Sequence, residues 1–263
     1  MISLENIRMT FAEGTPDENT ALKNINLNIN TGDFITVIGS NGAGKSTLYN
    51  VIAGTLSPSE GKIYLGEKDI TKEKEHVRAH YIGRIFQNPL LGTAGKMSLE
   101  DNMMICYKKG YKGLKISLNN KMRDYFKSRL EVLDMGLENR LHDNVELFSG
   151  GQRQALTLLM AVMSKPSLLL LDEHTAALDP HNAEIIMNLT RKFANDYNLT
   201  VMMITHNMNH ALEYGSRLCM MDGGEIILDI GAEEKAHLTM TEIISRFKNI
   251  KKKEIVSDQI LLQ

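Results

Sequence analysis

A glycine-rich stretch at residues 39–47, GSNGAGKST, has the residue types and spacing of a phosphate-binding loop, G-x-x-x-x-G-K-[ST]. Its glycines let the backbone close around phosphate oxygens, Lys45 can reach the β- and γ-phosphates, and the Ser46 hydroxyl can ligate Mg²⁺. We therefore expect the stretch to bind a nucleotide. The residues expected to contact it are Gly39, Ser40, Asn41, Gly42, Ala43, Gly44, Lys45, Ser46 and Thr47.

Two acidic residues, Asp172 and Glu173, end the apolar run at 168–171. A phosphoryl-transfer site needs a carboxylate in the Mg²⁺ shell and a group that orients the attacking nucleophile. Asp172, at the end of the strand, suits the first role, and Glu173 is placed to polarise a water for in-line attack on the γ-phosphorus. The alternative, an acidic pair that caps a strand at the surface, is disfavoured by a phosphate loop in the same chain.

A serine and two glycines, Ser149, Gly150 and Gly151, precede Gln152 and an apolar stretch with helical character at 153–163. A helix N-terminus with these residues can bind an anion without a lysine. Taken alone, Ser-Gly-Gly is an ordinary loop sequence. The segment is therefore a candidate second anion site, and its meaning depends on the other motifs.

The elements that must position these residues follow from apolar periodicity and turn residues. An apolar strand at 34–38 precedes the phosphate loop, a helix at 47–53 follows it, and Gly54 is placed to end that helix. Residues 98–164 are predominantly helical, whereas strands and helices alternate in the last third, which favours a parallel sheet. The further predicted strands are 2–9, 23–30, 62–66, 81–86, 167–171, 200–205, 217–221 and 225–229, and the further predicted helices are 117–134, 181–196, 207–214 and 233–247.

Size and composition indicate one soluble globular domain with an inserted or appended subdomain. The chain has 263 residues, 43% of them hydrophobic and 24% charged, and its formal net charge of −2 gives no field that would attract nucleic acid. Its first residues turn polar at once, and no run approaches the roughly 18 apolar residues that span a bilayer. Cys106 and Cys219 form no metal-ligand pattern, and free thiols are favoured over a disulfide between them. We expect a cytoplasmic protein.

Together these motifs resemble the ATP-binding subunit of ATP-binding cassette (ABC) transporters, in which the serine-glycine segment is the signature motif. The resemblance implies an α/β fold, a P-loop NTPase of ABC-cassette type, with a mixed-sheet core, an antiparallel β subdomain and an inserted helical subdomain. Over the single nucleotide-binding domain, 1–263, it implies core and β subdomain at 1–87 and 165–230. It also implies the helical subdomain at 88–164, and a C-terminal helix and basic tail at 231–263.

The resemblance also assigns roles to single residues. Phe11 corresponds to the aromatic that stacks on adenine, with a core aromatic as the alternative, and Gln87 to the glutamine that senses Mg²⁺ and the attacking water. His206 corresponds to the switch histidine on the γ-phosphate, with a structural histidine as the alternative. Asp179 lies in the loop that crosses a dimer interface. The signature, Ser149, Gly150, Gly151 and Gln152, would contact the γ-phosphate bound to a second subunit.

Two positions depart from the family pattern. Phe148 stands where leucine is usual and should change only local packing. His174 follows Glu173 where proline is commoner, and a histidine there could alter the pH response of hydrolysis.

The implied function is ATP binding and hydrolysis, with ATP and Mg²⁺ as cofactors, in a homodimer that energises a separate membrane permease. A groove between residues 88–97 and the helical subdomain would receive a helix of the permease, at the cytoplasmic face of the membrane. Segments 87–93 and 172–180 resemble bacterial importers of aromatic amino acids such as tryptophan or tyrosine, which are served by an extracellular binding protein. The alternatives are an exporter subunit for lipids or lipoproteins and a soluble ABC-type ATPase that acts on nucleic acid or ribosomes. The single cassette and slightly acidic charge disfavour the latter.

Overall fold

Two β-sheets carry the fold of the protein, whose computed structural model describes residues 1–107 and 118–249. The strands are β1 (Ile2–Phe11), β2 (Asn19–Ile29), β3 (Phe34–Gly39), β4 (Glu60–Leu65), β5 (Lys68–Asp69), β6 (Ile82–Ile85), β7 (Leu168–Asp172), β8 (Val201–Ile204), β9 (Arg217–Asp222) and β10 (Glu225–Ile230). The α-helices are α1 (Lys45–Ala53), α2 (Glu75–Arg78), α3 (Leu99–Tyr107), α4 (Asn120–Leu130), α5 (Gly150–Met163), α6 (Pro180–Asp196), α7 (Met208–Glu213), α8 (Ala232–Lys235) and α9 (240–249).

The larger sheet has six strands in the order β10-β9-β3-β8-β7-β6, and the smaller has four in the order β2-β1-β4-β5. In the larger sheet β9, β3, β8, β7 and β6 run parallel, and β10 pairs antiparallel with β9. The smaller sheet is antiparallel throughout. The expected mixed α/β architecture is therefore confirmed. Because the carboxyl ends of parallel strands share one edge, the segments after β3, β8, β7 and β6 lie along the same edge.

The apolar run in β7 is buried on both faces, as the sequence predicts for a central parallel strand. Leu168 and Leu170 pack in a core shared with α1 and the smaller sheet. Leu169 and Leu171 point the other way, into a core shared with α3, α4, α5 and α6. Each of these four side chains is at most 1% exposed, which fixes the level at which β7 ends and its carboxylates begin.

The helical region follows the predicted periodicity but not the predicted bounds. The expected helix at 117–134 is α4, which ends at Leu130 and continues as a 3₁₀ turn over Glu131–Leu133. Asp134 then adopts a left-handed conformation with φ of 54°, and this closes the segment. Further 3₁₀ turns cover Pro89–Gly92, Leu137–Asn139 and Val145–Leu147.

The single C-terminal helix predicted at 233–247 is wrong, because α8 and α9 are separate helices. Thr239 begins the second one: its hydroxyl and backbone N–H both donate to the Glu242 carboxylate at 2.8 Å, and the Glu242 N–H donates back to the hydroxyl at 3.3 Å. This is the Thr-x-x-Glu capping box that starts many helices. In the described ranges no helix has the length and apolar character needed to cross a bilayer. Among the described residues, neither Cys106 nor Cys219 takes part in a disulfide.

Candidate functional site

The phosphate loop leaves β3 at Gly39 and enters α1 at Lys45, two residues earlier than the predicted helix start. Gly44 caps the helix with a left-handed φ of 94°, and Gly54 ends it with φ of 83°, as predicted. The Lys45 side chain is buried, and its Nζ donates to the carbonyl oxygens of Gly39 at 2.8 Å and Ser40 at 2.9 Å. Burial lowers the Lys45 pKa, and the Glu173 and Asp172 carboxylates oppose that shift. The ammonium is therefore held inside the loop and faces both carboxylates.

Two glycines of the loop are required by close backbone contacts. A Cβ on Gly39 would lie 2.2 Å from the Met221 carbonyl oxygen, and one on Gly44 would lie 2.6 Å from the Ala21 carbonyl oxygen. Because Met221 belongs to β9 and Ala21 to β2, these contacts clamp the loop between the two sheets. The loop is thus a rigid cradle, as anion binding by backbone N–H groups requires.

A cleft of about 530 Å³ opens over the phosphate loop and gathers several of the predicted residues. Phe11 lies at its wall and is 37% exposed, so it is not a core aromatic. Ser40 lies outside the lining, and its hydroxyl donates to Asp222 at 3.0 Å. The predicted site residues that line the cleft are Phe11, Asn41, Gly42, Ala43, Gly44, Lys45, Ser46, Thr47, Glu173 and His206.

Glu173 and His206 meet at the cleft because β7 and β8 are neighbouring parallel strands, with Asp172 level with Ile204. The Glu173 Oε1 lies 2.5 Å from the His206 Nε2. Glu173 has a left-handed φ of 48°, which is uncommon for a residue with a side chain and turns the carboxylate away from the strand direction. The strand order therefore pairs a carboxylate with an imidazole beside the loop.

Asp172 ends β7 just behind this pair, and its Oδ2 lies 3.7 Å from the Nη2 of Arg84. Burial raises the pKa of Asp172, while the Arg84 guanidinium lowers it and Glu173 adds a further rise. The described residues contain no group of three or more His, Cys, Asp or Glu side chains that would hold a metal alone. Hard oxygen donors are nevertheless present in the exposed Ser46 hydroxyl and in Asp172, a set suited to Mg²⁺ shared with a phosphate.

The signature residues lie apart from the cleft, at the start of α5. The Ser149 hydroxyl accepts from the Gln152 N–H at 3.2 Å, and the Gln152 Oε1 accepts from the Ser149 N–H at 3.1 Å, a complete capping box. Gln152 thereby holds the helix start, and its Nε2 also donates to the Met135 carbonyl at 3.4 Å. Within the described residues, no hydrogen bond uses the N–H of Gly150 or Gly151.

Asp179 lies beside the signature and caps α6, with its side chain accepting from the Asn182 N–H at 3.1 Å. The Asn182 amide also donates to Asp179 at 2.5 Å. Gly151 packs against the same Asn182, where a Cβ would approach its Oδ1 to 2.6 Å. The signature and Asp179 therefore lie together outside the nucleotide cleft of their own chain, with Ser149 and Asp179 exposed and Gly151 buried against Asn182.

Two remaining predicted residues have distinct surroundings. Gln87 is exposed beyond β6, the edge strand, and does not line the cleft, so its role stays a prediction. His174 is 2% exposed, and its Nε2 lies 3.2 Å from the Thr190 hydroxyl. Burial and the charge of His210 lower the His174 pKa to about 3. His174 is thus neutral at physiological pH, which removes the basis for the proposed effect on the pH response of hydrolysis.

Sequence reasoning missed two arginines near this site, the buried Arg78 and the partly buried Arg84. Arg78 is fully buried beneath α1, and Arg84 contacts Asp172. A lone arginine in a sequence gives no sign that its guanidinium will be buried, because only the folded chain supplies its partners.

A glycine-rich loop between the parallel strand β3 and a helix, with carboxylates ending β7 two strands away in the same sheet, defines a P-loop nucleotide-binding protein. A family model described as ABC transporter matches residues 22–176. The chain is 40% identical over 249 residues to a tyrosine transport ATP-binding protein of Clostridioides difficile, with 94% of this chain and 99% of that protein covered. It is 33% identical over 275 residues to a methionine import ATP-binding protein of Enterococcus faecalis, with 100% of this chain and 76% of that protein covered.

Among solved structures, a dimeric ATP-binding cassette in a post-hydrolysis state bound to ADP and phosphate superposes with a TM-score of 0.74. The two chains are 28% identical, with 88% of this chain and 99% of the other covered. The chain belongs to the ABC transporter family. It is an ATP-binding and ATP-hydrolysing subunit that energises a transporter, which confirms the fold and activity expected from its motifs.

Proposed function

We propose that two copies of this chain bind two ATP molecules between them, each clamped by the phosphate loop of one copy and the signature of the other. The observation that carries this proposal is the separation of the two anion-binding surfaces within one chain. Among the described residues no acceptor is bonded to the N–H of Gly150 or Gly151, and neither these glycines nor Ser149 line the cleft that contains Lys45. One anion can bind a phosphate loop and a signature at the same time only if a second copy of the chain supplies one of the two. The dimeric cassette among the similar structures supports this arrangement.

Within each cleft, Phe11 would stack on the adenine, and the loop N–H groups and Lys45 would bind the phosphates. Glu173 would orient the attacking water, and His206, paired with it at 2.5 Å, would hydrogen-bond the γ-phosphate and hold the carboxylate in place. Ser46 and Asp172 would hold Mg²⁺, with Gln87 joining on closure, and the ion would neutralise charge on the transferred phosphoryl group. Asp179 would reach across the dimer interface.

A second cavity, of about 340 Å³, matches the groove that we expect for a permease helix. It lies between β6 with the turn that follows it and helices α3 and α5, and its lining includes Phe86, Gly92, Ile105 and Met160. Apolar side chains stand exposed beside it, with Leu90 48%, Leu91 68% and Ile105 51% exposed. Apolar groups left in water in this way mark interaction surfaces. We propose that residues 88–164 form the subdomain that binds the permease, which places the chain at the cytoplasmic face of the membrane.

The proposed transport is bacterial import of an amino acid, with an aromatic one such as tyrosine as the first candidate. The support is the relative named for tyrosine transport, together with a second relative named for methionine import. An extracellular binding protein would deliver the amino acid to the permease. Uptake by the chain reconstituted with its permease and binding protein, measured over a panel of amino acids, tests this assignment. Uptake of methionine but not of tyrosine or tryptophan would contradict it.

The shared ATP site is tested with Glu173→Gln. This change keeps the shape of the side chain but removes its charge, so ATP should still bind while turnover falls by about 10²- to 10⁴-fold. With Mg²⁺ and ATP, light scattering should then report a dimer. Ser149→Arg in the Glu173→Gln background should bind ATP equally well and remain monomeric. Dimerisation of both variants, or of neither, would contradict a site shared between copies.

A further inference from the structure

Arg84 occupies the boundary between the permease groove and the nucleotide site. It lies on the edge strand β6, and its guanidinium carbon stacks 4.6 Å from the centroid of the Phe86 ring. Both side chains line the groove. On the other side, the Arg84 Nη2 lies 3.7 Å from the Asp172 Oδ2. One side chain therefore touches the aromatic lining of the groove and the carboxylate proposed to hold Mg²⁺.

The guanidinium of Arg84 is mostly enclosed by protein but lacks a full set of hydrogen-bond acceptors among the described residues. The side chain is 15% exposed, and Nη1 is 3.5 Å from the Thr55 hydroxyl, at the limit of a hydrogen bond. Its Nε is buried and has no hydrogen-bond partner within the described residues. The charge is thus only partly compensated by protein groups, so its position depends on Asp172 and on what lies in the groove.

We propose that Arg84 is a positioning residue that couples occupancy of the groove to the state of Asp172. The inference rests on the proposed function, because both the permease groove and the metal-binding role of Asp172 are parts of it. A helix seated in the groove would exclude water from the open face of the guanidinium. Lower local dielectric strengthens the attraction between Arg84 and Asp172. Occupancy would then orient the Asp172 carboxylate and set the charge that Mg²⁺ meets at the site.

Arg84→Met tests both halves of this link, because methionine keeps an apolar lining of similar length but carries no charge. In the isolated chain, removing a cation beside Asp172 should lower the Mg²⁺ concentration for half-maximal nucleotide binding by about three- to tenfold. Fluorescent ATP titrated at fixed Mg²⁺ levels measures this shift without turnover. Arg84→Lys retains a positive charge and should stay within about twofold of wild type. Arg191→Met, which removes an arginine that pairs with Glu213 on α7, should not shift it.

The coupling itself is measured as the ratio of ATPase rates with and without the reconstituted permease. Arg84→Met should reduce that ratio at least about threefold, and Arg191→Met should leave it unchanged. An unchanged ratio together with an unchanged Mg²⁺ dependence would overturn the proposal for Arg84. If the wild-type chain neither binds nor responds to the permease, the proposed function fails instead, and the Mg²⁺ titration alone still decides whether Arg84 acts on Asp172.

Discussion

Arg78 supports the phosphate-loop helix from below, and its removal should have a large and calculable effect on stability. The side chain is 0% exposed, and its guanidinium donates to four carbonyl oxygens. Two of them, on Val51 and Ile52, lie in the last turn of α1, at 2.8 and 2.7 Å. The other two, on Ile70 and Thr71, lie at 2.6 and 3.0 Å in the segment before α2. A cation at this position also interacts favourably with the helix dipole.

The magnitude depends on which carbonyl oxygens have another donor. Val51 also accepts from the Gly54 N–H at 3.3 Å, and Ile70 from the Glu73 N–H at 3.0 Å. For Ile52 and Thr71, no second donor lies among the described hydrogen bonds. In Arg78→Met the Ile52 carbonyl, whose bond is buried, and the Thr71 carbonyl, whose bond is partly buried, both lose their donor, at about 1–3 kcal/mol each. Relief from burying a charge offsets part of this cost, so we expect a net loss of about 3 kcal/mol.

Urea unfolding followed by circular dichroism measures this loss, provided that the slope m is equal in both proteins. Arg191→Met is the matched control, because Arg191 is 43% exposed and pairs with Glu213 at the surface. Such a pair contributes about 0–1 kcal/mol. If Arg78→Met loses no more free energy of unfolding than the control, the buried carbonyls do not need the guanidinium, and the reasoning is refuted.

Three further predictions concern the loop and the neighbouring core. Lys45→Ala should weaken ATP binding by at least about tenfold because a charge-assisted phosphate contact is lost, and equal affinity in a calorimetric titration would contradict the cradle. Gly44→Ala should lose ATP binding and thermal stability, because its Cβ would lie 2.6 Å from a backbone oxygen at a left-handed φ of 94°. His174→Gln should reduce acid sensitivity. Burial lowers the pKa of His174 in the folded state to about 3, whereas the unfolded chain has the ordinary value of about 6.5. Below pH 6.5 only the unfolded state therefore binds the extra proton. The free energy of unfolding of the wild type then falls by about 1.4 kcal/mol per pH unit. Equal acid unfolding curves for wild type and variant would contradict that account.

The sequence predicted most of the parallel core, because local composition and position in the sheet agree there. The leucine run of β7 is apolar at every position, and the structure buries it on both faces. The phosphate loop, the end of β7 and His206 are brought together by strand order, since the carboxyl ends of β3, β8 and β7 lie side by side. This explains why Lys45, Glu173 and His206 share one cleft although 161 residues, from 45 to 206, separate the first from the last.

What the sequence did not predict depends on contacts between distant parts of the chain. The break between α8 and α9 had a readable signal in the Thr239 and Glu242 cap, but the apolar periodicity across 233–247 outweighed it. The sequence holds no signal for the burial of Arg78, because its four carbonyl acceptors belong to two segments that meet only after folding. His174 was considered as a titrating group because it follows Glu173 where proline is commoner, but its side chain is buried and its Nε2 lies 3.2 Å from the Thr190 hydroxyl.

In the proposed function, Arg78 and Arg84 would connect the groove proposed for the permease to the nucleotide site by separate routes. Glu75 on α2 and Ala79, which follows that helix, line the groove, and Arg78 on α2 donates to the carbonyl oxygens in the last turn of α1. Because α1 is a continuous helix of nine residues, a displacement at its end is carried along about 14 Å to the phosphate loop at its start. Arg84 would provide the second link, which is electrostatic, because its guanidinium interacts with the carboxylate of Asp172. Loss of Arg78 should therefore lower both the affinity for nucleotide and the stability of the fold. Loss of Arg84 should change the Mg²⁺ dependence of nucleotide binding while leaving the fold intact. The two variants therefore distinguish a mechanical link from an electrostatic one.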